Sequence, residues 1–263
     1  MTISITGSTF SSFAAEGASA WTIATPAVPT GTTGLIAIFA TEQNSSSPPA
    51  ISTLTSLYPW FQVQTFSAVL SNGVAYQIEV WICVFLPLQQ AVAQGSKNVT
   101  VQYGAPFDAA CGVIFGVTGF PGDSMNFDRG TVSGSSFFTG NNNSTQELLN
   151  WSTVTANTLN ISVVVQDSGT GSGGPEGFTA LQGGHVWPTN YLGLGVAYQN
   201  STSVLNSEQF SWLATGVPTM CMEFSLTDGS NLNGLPPAQA YEVITSYNYS
   251  VVNTSLISPI IGA

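Results

Sequence analysis

Apolar and polar residues alternate with a period of two along much of this chain, whereas the 3.6-residue period of an amphipathic helix is nearly absent. The clearest case is the segment 74–84. One of its faces is apolar and consists of Val74, Tyr76, Ile78, Val80, Ile82 and Val84. The opposite face consists of Ala75, Gln77, Glu79 and Trp81. Because the side chains of a strand point alternately to its two faces, this segment predicts a β-strand with one face in a core.

The dipeptide Asn72-Gly73 directly precedes this strand and predicts a type I′ hairpin with the segment 61–69. Further strands are predicted over residues 3–6, 21–24, 35–41, 98–103, 112–118, 159–165, 178–181, 191–198, 210–214 and 219–226. Clusters of Gly, Asn, Ser and Pro separate these segments. Many short strands with such turns predict an all-β fold, an antiparallel β-sandwich of jelly-roll-like type with an extra C-terminal strand.

The chain divides into three parts by composition. Residues 1–228 read as one β-sandwich domain, residues 229–237 as a turn-rich connector, and residues 238–263 as a C-terminal strand or tail. The tail has apolar residues at alternate positions, namely Tyr241, Val243, Tyr247, Tyr249 and Val251. Such a strand needs a sheet edge, either in its own sandwich or in a neighbouring subunit by β-augmentation. The second arrangement, repeated without closure, would build a filament.

Charge is nearly absent from this pattern. The chain has 2 Lys and Arg residues against 13 Asp and Glu, a net charge of −11, and 6% charged residues, against about a quarter in an ordinary domain. Nucleic-acid binding is excluded as a function, because it requires many cationic side chains. No apolar run reaches the roughly 20 residues of a membrane-spanning helix, so we expect no membrane insertion. A surface of hydroxyls and amides favours an extracellular protein.

Candidate catalytic groups are few. His185 is the single histidine, and no Gly-x-Ser-x-Gly sequence occurs that would serve a serine hydrolase. Glu79 and Glu223 stand out because each lies inside an apolar strand, but alternation predicts that both face solvent. A glycosidase with two such carboxylates ranks as a minor alternative. We therefore predict no enzyme, no catalytic residues and no cofactor.

Metal binding is also not expected. Cys83, Cys111 and Cys221 lie in apolar segments, and none has another Cys or His at the spacing of zinc ligands. They are interpreted as buried free thiols, with one disulfide plus one free thiol as the alternative. Asp123 and Asp128 belong to a short acidic loop whose side chains are typical of turns rather than of a Ca²⁺ site.

Nine Asn-X-Ser/Thr sequons are candidates for N-glycosylation. They are Asn44, Asn98, Asn142, Asn143, Asn150, Asn160, Asn200, Asn248 and Asn253. A sugar coat would explain how so uncharged a surface stays soluble. The alternative is that a β-protein rich in Asn and Thr accumulates unused sequons.

Several segments also follow one another in a recognisable order. A strand follows a glycine turn at 34–39, a hairpin ends in an aromatic strand at 78–82, and apolar strands follow at 99–101, 113–120, 157–165, 177–181 and near Trp212. In this order the chain resembles a jelly-roll-like β-sandwich domain recurrent in bacteriophage structural (tail or virion) proteins and some bacterial exported proteins. The resemblance covers about three quarters of the chain. It implies a virion or surface building block and brings no catalytic residues.

We therefore expect an extracellular structural protein, in a cell-surface filament or a virus particle, whose copies self-assemble by β-strand addition. The alternative is a carbohydrate- or receptor-binding module of the phage tail or adhesin type. In that case aromatic side chains in loops or at strand ends would stack on sugar rings. The candidates are Trp60, Trp151, Trp187 and Tyr191. Anchoring of loops or of subunit contacts explains these aromatic residues equally well.

Overall fold

β-Strands account for most of the residues that the structure describes. The computed structural model describes residues 3–14, 17–25, 27–44, 47–56, 60–70, 72–85, 97–119, 125–128, 137–139, 146–151, 156–167, 177–186, 192–203, 208–213, 219–227 and 242–244. Within these ranges the chain forms β-strands and short connections and contains no helix. The same ranges therefore hold no helix of the length and apolarity that crossing a bilayer requires.

The strands follow the alternating segments of the sequence. In chain order they are β1 (Ser4–Ala14), β2 (Ala20–Ala24), β3 (Gly34–Gln43), β4 (Ile51–Thr55), β5 (Phe61–Val69), β6 (Ala75–Val84), β7 (Asn98–Tyr103), β8 (Ala109–Thr118), β9 (Met125–Asp128), β10 (Phe137–Thr139), β11 (Gln146–Trp151), β12 (Thr158–Gln166), β13 (Thr179–Val186), β14 (Gly193–Ser201), β15 (Glu208–Leu213), β16 (Thr219–Thr227) and β17 (Glu242–Ile244).

A five-stranded antiparallel sheet, in the order β1-β8-β3-β6-β5, lies at the centre of the fold. We call it the middle sheet. The hairpin predicted around Gly73 joins β5 to β6. There, the Leu70 amide donates to the Val74 carbonyl oxygen at 3.0 Å. Gly73 has a φ of 79°, which a residue with a Cβ adopts only at a cost. The hairpin therefore forms where the Asn-Gly pair predicts it, but the predicted type I′ turn is wrong, because that type needs a positive φ at Asn72 as well and only Gly73 has one.

The main core lies between the middle sheet and a seven-stranded sheet. The second sheet has the order β13-β14-β12-β16-β9-β17, with β10 also paired to β16. Alternate residues of the central strands fill the space between the two sheets, among them Ile38, Ile78, Val113, Ile161 and Met222. The antiparallel β-sandwich predicted from the sequence is confirmed. The main core includes residues from Ile3 to Leu226, whereas the proposed division after residue 228 stays a prediction.

A third layer was not predicted. The three-stranded sheet β2-β7-β4 packs on the other face of the middle sheet. It forms a second core that includes Leu35, Phe39, Val101 and Ile114. The middle sheet is thus covered on both faces. This explains why β3 begins with an unbroken apolar run, since a strand buried on both sides has no face for solvent.

The outer face of the seven-stranded sheet is buried as well. Every residue of β12 is buried, and the two-stranded sheet β11-β15 contacts β16 through β11. Polar residues that alternate with the core positions, such as Asn160 and Ser225, therefore lie away from solvent. Burial on both faces is the rule for the central strands of both large sheets.

The extra C-terminal strand is present as β17. It pairs antiparallel with β9 at the edge of the chain's own seven-stranded sheet, with Val243 opposite Asn126. The other tail positions named above, Tyr241, Tyr247, Tyr249 and Val251, lie outside the described residues. The prediction of an acidic loop was partly wrong, because residues 125–128 form β9. Asp123 lies outside the described residues.

Candidate functional site

Glu79 is a buried acidic side chain that accepts four hydrogen bonds. It points from β6 toward the third sheet and is 1% exposed. Its Oε1 accepts hydrogen bonds from the Ile51 amide at 2.8 Å and Gln77 Nε2 at 2.7 Å. Its Oε2 accepts from Gln62 Nε2 at 2.6 Å and Trp81 Nε1 at 3.2 Å. The carboxyl group therefore ties β4 and β5 to β6.

These contacts give Glu79 a structural role. Burial raises the pKa of its carboxyl group, while the four donors act in the opposite direction because they favour the ionised form. The prediction that Glu79 faces solvent is wrong. Alternation places it correctly on the face opposite the main core, but the third sheet covers that face. A carboxyl group whose oxygens are both engaged in this way has no free position for a substrate.

Glu223 is buried to the same extent and lies in a different environment. It points from β16 to the outer face of the seven-stranded sheet and is 1% exposed, so the prediction of a solvent-facing position is wrong here too. Neither carboxyl oxygen has a hydrogen-bond partner among the described residues. Burial raises the pKa of this carboxyl group well above its usual range. The Nδ2 of the neighbouring Asn160 also has no partner among the described residues, while its Oδ1 accepts a hydrogen bond from Ser225 Oγ at 2.6 Å.

A third group of acids lies where the ends of the two large sheets meet. Glu42 at the end of β3 is close enough to Asp167 and Asp108 to feel their charges. Burial first, and then these two carboxylates, raise the pKa of Glu42 to about 7, although a hydrogen bond with the Leu192 backbone lowers it. Asn72 Nδ2 donates to Asp167 at 3.0 Å. Across the described ranges, no set of His, Cys, Asp and Glu side chains has the arrangement of a metal site.

One sizeable cleft opens where β1 approaches β13. Its volume is about 770 Å³, and its lining includes Ile5, Thr9, Thr179, Gln182 and Tyr198. This size would admit a small molecule. The lining offers hydroxyls, an amide and one aromatic ring, but no carboxyl group and no cation. The cleft therefore has hydrogen-bonding capacity without a pair of groups for acid-base catalysis. His185 lies in β13 opposite Gly195.

The sequons divide by accessibility. Asn44, Asn98 and Asn200 are exposed, as a glycosylation site must be. Asn160 is 0% exposed, so a glycan on it is incompatible with the folded chain, and this candidate is wrong. Asn150 lies in β11. The remaining sequons, Asn142, Asn143, Asn248 and Asn253, lie outside the described residues.

The aromatic candidates for stacking on sugars find limited support. Trp60 is 8% exposed, packs in the second core, and donates its Nε1 hydrogen to Ser56 Oγ at 2.8 Å. It therefore anchors a strand end and has no ring face to offer a sugar. Trp151 lies in β11. Trp187 and Tyr191 lie outside the described residues.

The two large sheets meet closely along one side. There β1 lies against β13. A Cβ placed on Gly183, which has a φ of 72°, would lie only 3.3 Å from the Thr9 carbonyl oxygen. Backbone thus approaches backbone along this side. We call it the closed side, because the two edge strands come into backbone contact at Gly183 and Thr9, beside the cleft described above.

The opposite side is open. Among the described strands, β5 pairs only with β6, and it forms the edge of the middle sheet. Its nine residues include no charged residue and no Pro. Val69 is 55% exposed and is the most exposed large apolar side chain of the described residues. Edge strands normally carry charges or Pro that prevent pairing with another chain. We call β5 the open edge.

Sequence reasoning found the strand β5 but missed its position at an edge, which depends on strand order. Comparisons of this chain with protein-family models, curated proteins and solved structures found no match. The resemblance to phage structural domains therefore stays a prediction, and function must be inferred from the residues themselves.

Proposed function

We propose that this chain is an extracellular structural subunit that associates with copies of itself by β-strand addition, in a cell-surface filament or a virion-type assembly. The observation that carries the proposal is the open edge, a long unprotected edge strand in a chain that also has a strand-like tail. An unpaired edge presents a row of backbone donors and acceptors to an incoming strand.

β17 adds the first part of the tail to the chain's own sheet, so the incoming strand of the proposal is the segment that follows residue 244. Residues 242–244 adopt strand geometry and pair with residues of β9 at a sheet edge. The same alternation continues beyond them through Tyr247, Tyr249 and Val251. A segment with this pattern can add to an edge and lay its apolar side chains over a core.

The surface composition also favours close packing between copies. Burying a charged side chain in an interface costs several kcal/mol unless it is paired. With 6% charged residues, this chain has few such side chains to bury. Hydroxyl and amide groups can instead form hydrogen bonds across a contact between subunits.

Electron microscopy and sedimentation of the full-length protein test the proposal. We expect polymers or particles from the wild type. Replacing both Tyr247 and Tyr249 by Lys should give dispersed subunits, because the apolar face of the tail is lost. The matched control replaces Asn248 and Ser250 by Lys on the opposite face and should still assemble. Dispersed wild-type protein would contradict the proposal, and a glycan-array screen would then test the carbohydrate-binding alternative.

A further inference from the structure

We propose that the open edge accepts the tail of a second copy, so that residues 245–251 of one chain become a sixth strand of the middle sheet of another. This inference rests on the proposed function and assigns its contact surface. It is carried by three independent features of the described residues, namely the strand count of the two sheets, the direction of the backbone groups of β5, and the side chains along it.

Among the described strands, none lies beside β5 on the side away from β6. On the closed side β1 lies against β13, so the strands of the two large sheets can be counted from this contact. From there the middle sheet has five strands, whereas the path of the opposite sheet has six, from β13 to β17. Counted outward from the closed side, β17 is therefore one strand beyond β5. A strand added to β5 would make the two sheets equal in width and would cover the inner face of β17.

The backbone of β5 is oriented to receive such a strand. Because the Leu70 amide donates to the carbonyl oxygen of Val74, the residue before β6, the backbone groups of Ala68 and Phe66 also point toward β6. Successive residues of a strand direct these groups to opposite sides. Thr65, Ser67 and Val69 therefore point their amide and carbonyl groups toward the open edge. The irregular pairing between Gln62 and Gln64 lies before this stretch, so the residues that follow it are in regular register.

The side chains match an apolar strand. Phe61, Phe66 and Ala68 pack against the main core but are only partly buried, which leaves part of each uncovered at the edge. A groove of about 210 Å³, lined in part by Ser67, Val69 and Pro48, opens at the end of β5. Tyr247 and Tyr249, on one face of the incoming tail, would cover Phe66 and Ala68, whereas the Ser67 and Val69 side chains at the groove lie on the opposite face of β5.

The other sheet edges suit the tail less well. β1 and β13 block one another on the closed side. β2 and β4, at the edges of the third sheet, have 5 residues each, β11 and β15 have 6 each, and β17 has 3, whereas β5 has 9. Among these described strands, only β5 is long enough to pair with a tail strand of about seven residues along its full length.

The decisive variants are Ser67→Pro and Ser67→Ala in the full-length chain. Pro removes the amide that points to the open edge while leaving the pairing between β5 and β6. We expect at least a tenfold loss of polymer mass by sedimentation for Ser67→Pro and wild-type assembly for Ser67→Ala. Circular dichroism reports whether each variant is folded. If Ser67→Pro does not fold, Val69→Lys provides the same test, because it introduces the charge that the edge lacks.

The outcomes separate this inference from the proposed function. One outcome overturns only this inference. The wild type assembles and the tail double-lysine variant does not, but folded Ser67→Pro and Val69→Lys both assemble. The tail would then bind a surface other than β5. If the wild type does not assemble, the proposed function is overturned as well.

Disulfide trapping identifies the chain that supplies the strand. Protein with Ser67→Cys is mixed with protein carrying a cysteine at one of residues 246–250, and oxidation should link the two copies at one or two of these positions. The three native thiols are buried and will not compete in the folded protein. Linkage found only within single chains that carry both cysteines would show that each tail occupies its own β5, and would overturn the inference.

Discussion

Two buried glutamates, each on a sheet face opposite the main core, differ in the hydrogen-bond donors that surround them. Glu79 and Glu223 both lie at outward positions of central strands, and both are 1% exposed. Around Glu79, four donors from three strands reach the carboxyl oxygens. Around Glu223, the described residues supply none. Burial alone therefore does not define the role of a carboxyl group, which depends on the donors that the neighbouring strands provide.

The difference is already present in the residues at the next positions on the same face. Glu79 has Gln77 and Trp81 two residues away in β6, and both are side-chain donors. Glu223 has Cys221 and Ser225 at the equivalent positions, and Ser225 Oγ donates to Asn160 instead. Glu79 accordingly fits the ionised form, whereas Glu223 fits the protonated form, because a buried charge without donors costs several kcal/mol, roughly 3 or more.

Substituting Glu79 by Gln should have the largest effect. The amide group would place two hydrogens among donors that need acceptors, including the Ile51 amide and Trp81 Nε1. We expect a loss of about 3 kcal/mol in the free energy of unfolding, measured by urea denaturation at pH 7. The matched control, Glu223→Gln, lacks such donors and should change stability by less than about 1 kcal/mol. Equal losses would show that the two regions do not differ.

Substituting Glu223 by Met should stabilise the protein. Met fills a similar volume beside Cys221 and removes two oxygens that have no described partner. Because burial raises the pKa of Glu223, the folded state holds its proton above the pH at which the unfolded chain releases it. Wild-type stability should therefore be fully present below about pH 4 and fall as pH rises. We expect Met to add about 2 kcal/mol at pH 8 and less at pH 4; a loss at pH 8 would reveal a partner for this carboxyl group.

Substituting Glu42 should have the smallest effect on the free energy of unfolding, because this side chain is only partly buried. Its pKa of about 7 in the folded state lies above the 4.5 of a free side chain, so the wild type should lose stability as pH rises from about 4.5 through 7. Glu42→Gln should remove this slope and add about 1 kcal/mol at pH 8, after allowing for solvent screening. Thermal unfolding between pH 4 and pH 8 measures the slope. If Glu42→Gln has the same slope as the wild type, the pH dependence arises from the other buried acids.

The sequence predicted the strands far better than the layers. β5 and β7 begin and end at the predicted residues, because alternation and turn residues are local signals. β4 was missed because it is short and has only Ile51 and Leu54 as apolar residues. β9 was interpreted as part of a loop because its polar residues are also turn formers. Local patterns cannot distinguish an edge from a centre, since strand order depends on pairing between residues distant in sequence.

The predictions for individual residues show the same contrast, because local patterns gave the face of a strand but not what covers that face. Alternation correctly placed Glu79, Glu223 and Asn160 on faces away from the main core, but their exposure was wrong because other sheets and segments cover those faces. A signal was available in the unbroken apolar run of β3, which is typical of a strand covered on both sides. The open edge gave no local signal, because β5 alternates like any half-buried strand.

The three free cysteines occupy different layers of this fold. Cys111 lies in the main core, Cys83 in the second core against the third sheet, and Cys221 on the outer face of the seven-stranded sheet. Each thiol is buried and becomes reactive only when its own layer separates. The three cysteines therefore act as internal probes of unfolding, one for each layer. The rates at which they react with a thiol reagent would give the order in which the layers separate.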